Sequence, residues 1–153
     1  MSAAFHLSPS AIRVSEASCK TAILDEVGAL LAEVCDLQEQ EVRERLYARE
    51  RIGSTGFGRG VAIPHARMEE IGRPVVCVLQ LASPVEFEAA DKMPVELVFG
   101  LLSPEAGGMA HLHALAALSR MVRDDALRSA LTEAQSEDAL FALLTNAVDR
   151  MAA

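Results

Sequence analysis

The sequence predicts an α/β fold in which a mixed sheet of about five strands is flanked by helices. Two predominantly apolar stretches of strand length, residues 75–81 and 95–102, are typical of strands covered on both faces. Helical periodicity dominates both ends of the chain, and a glycine-rich segment lies between them. Because helices from both ends need the same sheet to bury their apolar stripes, we expect a single domain over residues 1–153.

The composition and charge of the chain argue against several classes of function. The 153 residues are 51 % hydrophobic, enough to fill one core, and the net charge of −8 disfavours general nucleic-acid binding because phosphates repel an acidic protein. No apolar run reaches the ~18 residues that span a bilayer, and no secretory signal opens the chain. The three cysteines form no CxxC pair. We therefore expect a reduced, cytoplasmic protein without membrane insertion.

The first third of the chain predicts a short strand and two helices. The strand is expected at residues 13–17, and Ser18 is expected to cap the first helix. Asp36 and Glu39 resemble a capping box that opens a second helix over residues 39–50. The first helix has a stripe of apolar residues at helical spacing, namely Ile23, Val27, Leu30, Leu31 and Val34.

The remainder predicts a loop, further strands and a helical end. Four glycines in residues 53–60 predict a loop, and a strand at 61–63 should end at Pro64, which has no N–H for a ladder. Residues 86–88, around Phe87, are expected to add an edge strand. Helical segments are predicted at residues 110–123 and 125–131, and Ser136 is expected to cap a last helix that runs to Val148.

Arginines concentrate between residues 43 and 73. Seven arginines and four glutamates give this stretch a charge of 7 − 4 = +3, so the rest of the chain carries −11. A basic island in an acidic protein indicates an anion site. For residues 43–51, a solvated helix face with Glu–Arg pairs is an equally good interpretation.

His65 is the candidate reactive residue. It follows a proline at the end of a predicted strand, and α/β proteins place reactive groups at such ends. A neutral imidazole is nucleophilic near physiological pH. Alone, the Pro64–His65 pair would fit a histidine that merely ends a strand.

The residues around His65 carry a family resemblance. Residues 49–65 read Arg-Glu-Arg-Ile-Gly-Ser-Thr-Gly-Phe-Gly-Arg-Gly-Val-Ala-Ile-Pro-His. This stretch closely resembles the active-site signature of mannitol/fructose-type enzyme IIA domains of the bacterial phosphoenolpyruvate-dependent phosphotransferase system. The Ile-Gly-Ser-Thr-Gly form is most similar to the nitrogen-regulatory branch. The likeness runs over residues 7–145, with slight departures at Ala66 and Arg59, and implies a mannitol-type enzyme IIA-like fold.

The resemblance also implies roles for individual residues. His65 matches the histidine that is phosphorylated on Nε2 by a phosphorylated histidine carrier protein (HPr type), and Arg49 matches the active-site arginine. Residues 110–115 are similar to the family's second-histidine helix, which favours His111 over His113 as the second active-site histidine. No cofactor and no metal are implied.

Elementary chemistry is consistent with these roles. Phosphoryl transfer depends mostly on positioning and on neutralising oxygen charge. The guanidinium of Arg49 can hold two oxygens, and a protonated His111 can hold another. Hydroxyl and backbone N–H groups of the loop can bind the anion as well. The loop residues expected to do so are Ser54, Thr55 and Gly56.

Several alternatives are weaker or remain open. The glycine-rich loop lacks the Gly-Lys-Ser/Thr end of a nucleotide-binding loop, and it precedes a strand rather than a helix. A metal site from His65, His111 and His113 is disfavoured, because helix positions two apart diverge by about 200°. We therefore expect a phosphocarrier with phosphorylation-dependent regulatory partners. The alternative is a sugar-specific enzyme IIA that passes phosphate to a separate IIB component.

Overall fold

Helices cover both faces of a mixed sheet in the computed structural model, which describes residues 3–152. Within those residues the chain forms five helices and six strands. The helices are α1 (Lys20–Cys35), α2 (Glu39–Ile52), α3 (Gly108–Arg123), α4 (Asp125–Glu133) and α5 (Glu137–Ala152). The strands are β1 (Ile12–Ser15), β2 (Gly56–Gly58), β3 (Val61–Ala62), β4 (His65–Met68), β5 (Val75–Val85) and β6 (Val95–Pro104). The predicted α/β class and mixed sheet are confirmed.

The sheet is built around β6, which pairs antiparallel with β5 along one side. The strand order is β1-β5-β6-β3-β2, and β4 also pairs with β6. Both β3 and β4 run parallel to β6, with Val61 opposite Leu97 and His65 opposite Leu101. The two short strands therefore form one interrupted strand, and the interruption falls at residues 63 and 64. His65 is the first residue after it.

Each face of the sheet has its own apolar core. The N-terminal helices α1 and α2 bury one stripe each on the first face, and α3, α4 and α5 bury theirs on the second. At Gly100, an added Cβ would lie 2.5 Å from Val27 Cγ1 and 2.7 Å from Cys77 Sγ. Helix α1 thus packs so closely on β6 that only glycine fits there. Burial raises the pKa of the Cys77 thiol to about 12, so this cysteine is a packing residue.

Two predicted helix caps differ from the structure. Cys19, not Ser18, precedes α1, and its Sγ accepts a hydrogen bond from the Ala22 N–H at 3.5 Å. Asp36 does not open α2. It ends α1 in the left-handed conformation at φ 56°, where its N–H donates to the Ala32 carbonyl. Asp36 lies two residues before the N-cap position of α2, which Gln38 occupies without a side-chain cap.

The strands near the glycine-rich segment also differ in part. Residues 86–88 form no strand, because Phe87 turns fully into the core, where it is 0 % exposed. The predicted loop contains β2, which pairs with β3. Strand β3 ends at Ala62, one residue earlier than predicted, and β4 begins at His65, directly after Pro64. The predicted cap at Ser136 is confirmed, since its Oγ accepts from the Ala139 N–H at 3.1 Å.

Among residues 3–152, no helix has both the length and the apolar character required to cross a bilayer.

Candidate active site

His65 is fixed at the start of β4 by the residues just before it. The Pro64 carbonyl accepts a hydrogen bond from the Leu101 N–H at 2.9 Å, which joins this point of the chain to β6. The Nδ1–H of His65 donates to the Ile63 carbonyl at 2.7 Å. Because a carbonyl oxygen only accepts, Nδ1 carries the proton and Nε2 keeps its lone pair. The neutral ring is therefore in the form that is nucleophilic at Nε2.

His111, in the first turns of α3, faces His65. The two ring centroids lie 5.5 Å apart and the planes are inclined by 49°. The His111 side chain is buried, and its Nδ1 has no hydrogen-bond partner among the described residues. His113 is exposed and lines a different cavity, together with Phe5 and Arg120. Helix α3 thus brings His111, and not His113, to His65.

Burial and neighbouring cations keep both rings neutral. Burial lowers the pKa of His65, and Arg49 lowers it further, whereas the Ile63 carbonyl and Glu50 oppose this change. Burial, followed by His65, Arg67 and Arg49, lowers the pKa of His111 to about 4. His111 is therefore neutral at pH 7 in the unmodified protein. The protonated His111 expected from the sequence requires an anion that raises its pKa.

Three arginines surround the two histidines in a cavity of about 290 Å³. Arg49 Nη1 donates to the Gly53 carbonyl at 2.8 Å. Arg67 Nη2 donates to the Glu105 carbonyl at 2.9 Å, and Arg45 Nη1 donates to the Arg67 carbonyl at 3.2 Å. These bonds hold the guanidinium groups while leaving other N–H groups to contact an anion. The cavity is lined by Arg45, Ala48, Arg49, Ile52, His65, Ala66, Arg67 and His111.

The loop hydroxyl groups are engaged within the protein. Ser54 Oγ donates to the Phe87 carbonyl at 2.9 Å and accepts from the Gly56 N–H at 3.1 Å. The Thr55 hydroxyl donates to Glu50 Oε2 at 2.5 Å. In the unmodified protein these contacts shape the loop rather than line the cavity. Sequence reasoning did not single out Glu50, although it lies inside the quoted motif.

Arg59, one of the two departures from the family's pattern, lies away from His65. Its guanidinium is directed to the Arg123 carbonyl, with Nη1 at 3.5 Å, and it lines a separate cavity with Glu96 and Arg128. The backbone explains the direction. Arg59 has a φ of 59°, and its N–H donates to Asp91 Oδ2 at 2.8 Å. Arg67, which lies in the same basic stretch of the sequence, lines the His65 cavity instead.

The geometry agrees with comparisons to known proteins. Residues 5–147 match the family described as "Phosphoenolpyruvate-dependent sugar phosphotransferase system, EIIA 2". The chain belongs to this EIIA 2 family. A nitrogen regulatory protein of Pseudomonas aeruginosa is 39 % identical over 128 residues, which cover 83 % of each chain. The resemblance stated from the sequence is thus confirmed.

Solved structures of EIIA proteins have the same fold. The crystal structure of nitrogen regulatory protein IIA-Ntr from Neisseria meningitidis matches with a TM-score of 0.84 at 36 % identity, covering 90 % of this chain and 95 % of that one. IIA mannitol from Escherichia coli matches with a TM-score of 0.77 at 22 % identity, covering 92 % and 99 %. The mannitol-type fold is confirmed, and phosphoryl transfer is the reaction of the system to which this EIIA domain belongs.

No group of three or more His, Cys, Asp or Glu side chains within residues 3–152 of this EIIA domain is arranged to hold a metal ion. In particular, His113 points to a different cavity from the His65–His111 pair.

Proposed function

We propose that this protein is a cytoplasmic phosphocarrier that accepts a phosphoryl group on His65 Nε2 from a phosphorylated HPr-type carrier. It signals through partners that distinguish the two forms. The observation that carries this proposal is the hydrogen bond from His65 Nδ1–H to the Ile63 carbonyl, which leaves the Nε2 lone pair available. The nucleophile lies with three arginines and a second imidazole in one cavity.

The transfer step exchanges one phosphorus–nitrogen bond for another. The Nε2 lone pair of His65 attacks the phosphorus of the carrier's phosphohistidine, and the electron pair of the breaking bond returns to the carrier's nitrogen. No proton has to leave His65, because its single N–H proton is on Nδ1. The positive charge that develops on the ring is stabilised by the Ile63 carbonyl, 2.7 Å from Nδ1.

The cavity supplies charge for the phosphoryl oxygens. The planar guanidinium groups of Arg49 and Arg67 can each hold phosphoryl oxygens in a fork geometry. His111 begins neutral, and the arriving dianion raises its pKa so that it gains a proton and becomes a third donor. The domain thereby stores a phosphoryl group for onward transfer, which makes it a phosphocarrier rather than an enzyme that turns over alone.

Phosphorylation would change the surface that a regulatory partner meets. A phosphoryl group adds about −1.5 to −2 charges at neutral pH. Beside it stand Arg45, Arg49 and Arg67, with the apolar side chain of Ile52, which is 83 % exposed. A partner that docks there meets a basic rim before phosphorylation and a largely neutralised one afterwards. The likeness to nitrogen regulatory proteins supports this regulatory role over sugar transfer.

The test is phosphorylation by purified components. The protein is incubated with phosphoenolpyruvate, enzyme I and the HPr-type carrier, and intact mass and site mapping follow. We expect one acid-labile phosphoryl group on His65, lost in His65→Ala and retained in the control His113→Gln. Acid-labile label that persists in folded His65→Ala would contradict the assignment. Transfer to an isolated sugar IIB component, without any regulatory partner that separates the two forms, would favour the sugar-specific alternative.

A further inference from the structure

A buried carboxylate that the transfer chemistry does not use lies next to Arg49 in the sequence. The Glu50 side chain is only 6 % exposed, and Lys20 Nζ lies 3.0 Å from its Oε1. The Thr55 N–H donates to Oε1 at 2.8 Å, and the Thr55 hydroxyl donates to Oε2 at 2.5 Å. Burying a carboxylate is costly unless it is paired and hydrogen-bonded. These contacts satisfy it, and they fix Thr55 to the last turn of α2.

Hydrogen bonds continue from Thr55 to the nucleophile. The Ile63 N–H donates to the Thr55 carbonyl at 2.9 Å. The Ile63 carbonyl accepts from His65 Nδ1 at 2.7 Å. Hydrogen bonds thus join Glu50 of α2, Thr55 of the loop, Ile63 between β3 and β4, and His65 of β4, one after another. The backbone of Ile63 is held on both its N–H and its carbonyl side.

We propose that Glu50 is a positioning residue for His65, which acts through Thr55 and Ile63 to aim the carbonyl that keeps the His65 proton on Nδ1. This role rests on the proposed function, because it matters for transfer only if His65 Nε2 is the acceptor. Without Glu50, the loop no longer fixes Thr55, and the Ile63 carbonyl loses part of its support. The ring can then place its proton on Nε2, which removes the lone pair that attacks phosphorus.

Lys20 orients the Glu50 carboxylate and offers a matched control. Its Nζ also lies 3.1 Å from Glu88 Oε1 and 4.9 Å from the centroid of the Phe87 ring. The Glu88 side chain is 79 % exposed, and none of its described hydrogen bonds reaches Thr55. Glu88→Gln therefore removes a carboxylate from the same lysine while leaving the path from Glu50 to His65 intact.

The experiment reads the His65 tautomer directly by ¹⁵N NMR of the imidazole at pH 7.5, with no phosphoryl donor present. Wild type and Glu88→Gln should show a protonated Nδ1 and an unprotonated Nε2. Glu50→Ala should show a mixture of the two tautomers. Glu50→Gln should give a smaller change, because its amide oxygen can still accept from the Thr55 N–H. In parallel, phosphoryl uptake from the HPr-type carrier should fall on the order of 10²-fold in Glu50→Ala and less in Glu50→Gln.

The outcomes separate this role from a general loss of structure. Folded Glu50→Ala with the wild-type tautomer would overturn it, even if uptake were slower, since the effect would then lie elsewhere. If Glu50→Ala fails to fold, the variants Glu50→Gln and Thr55→Val test the role instead. A wild-type tautomer and wild-type uptake in both of these variants would overturn the positioning role of Glu50. If the wild-type protein takes up no phosphoryl group, the proposed function fails, while the tautomer measurement still tests the role of Glu50.

Discussion

The imidazole rings of His65 and His111 face each other with their centroids 5.5 Å apart, one on a strand and the other on a helix. Both are neutral in the unmodified protein, and His111 has a pKa of about 4. Two neutral rings in a cavity with three arginines form a site that attracts anions without requiring a protonated histidine. Under the proposed function, His111 gains a proton in response to the phosphoryl group rather than before it.

Arg49 is expected to stabilise the transferred phosphoryl group. Arg49→Ala should slow uptake from the carrier about 10²–10³-fold, by analogy with the loss of one charge-stabilising donor. Arg49→Lys should rescue poorly, because an ammonium lacks the planar fork. Rapid-quench measurement of phosphoryl uptake tests this. Arg51→Ala, an exposed position on the same helix, is the control, and equal rates for Arg49→Ala and Arg51→Ala would refute the role.

His111 should make stability depend on pH. Its folded pKa of about 4 lies below the ordinary histidine value of 6.5, so the unfolded state binds more protons between these values. Stability from this group is therefore present above pH 6.5 and is lost as the pH falls towards 4. His111→Asn should flatten the decline of the urea midpoint over that window. The control His113→Asn removes an exposed histidine from the same helix and should show the wild-type decline of the urea midpoint. A wild-type decline in His111→Asn as well would show that the prediction is wrong.

Gly56 should tolerate no side chain. An added Cβ would lie 2.7 Å from Ala89 Cβ and 2.8 Å from Ala89 Cα, so one backbone or the other has to move. Gly56→Ala should cost about 1–3 kcal/mol of unfolding free energy. Gly53 is a matched control in the same loop, since its φ is 173° and nothing lies within 4 Å of an added Cβ. Urea denaturation of the two variants measures the difference, and equal stability would contradict the close approach.

Arg67 and Arg59 should differ in their effect on transfer. Arg67 lines the His65 cavity and Arg59 lines another. Arg67→Ala should slow phosphoryl uptake and reduce its dependence on ionic strength, because a cation at the site is removed. Arg59→Ala should leave both unchanged. Uptake rates at two salt concentrations test this pair, and a larger effect from Arg59→Ala would mean that the carrier docks against the other cavity.

The sequence predicted the helices, strands and motif whose pattern is carried by their own residues. The apolar runs of β5 and β6 and the stripes of the helices are of this kind, and so is the motif that ends at His65. Three-residue β2 has no such signal, because it exists through pairing with β3 and through the approach of Gly56 to Ala89. The aromatic Phe87 and its neighbours predicted an edge strand at residues 86–88. Its burial beneath Lys20 depends instead on contacts that form only in the assembled fold.

The site was predictable in its residue types more than in its arrangement. The motif indicated His65, Arg49 and His111, and the structure brings all three together. It could not indicate that Arg59 turns away, because that depends on a positive φ and on an Asp91 carboxylate distant in the sequence. Nor could it show that the Thr55 hydroxyl is occupied by Glu50, since such pairing is set by loop geometry.

Strand β4, which carries His65, pairs with β6 alone and lies at an edge of the sheet. Open strand edges invite pairing with other chains and hence aggregation. Here the edge is four residues long, a proline precedes it, and Arg67 lies within it. Arg45 also donates to the Arg67 carbonyl at 3.2 Å, which occupies one of the edge acceptors. The arginines that make the cavity basic therefore also protect this edge, so that His65 lines an open cavity without making the sheet a template for self-association.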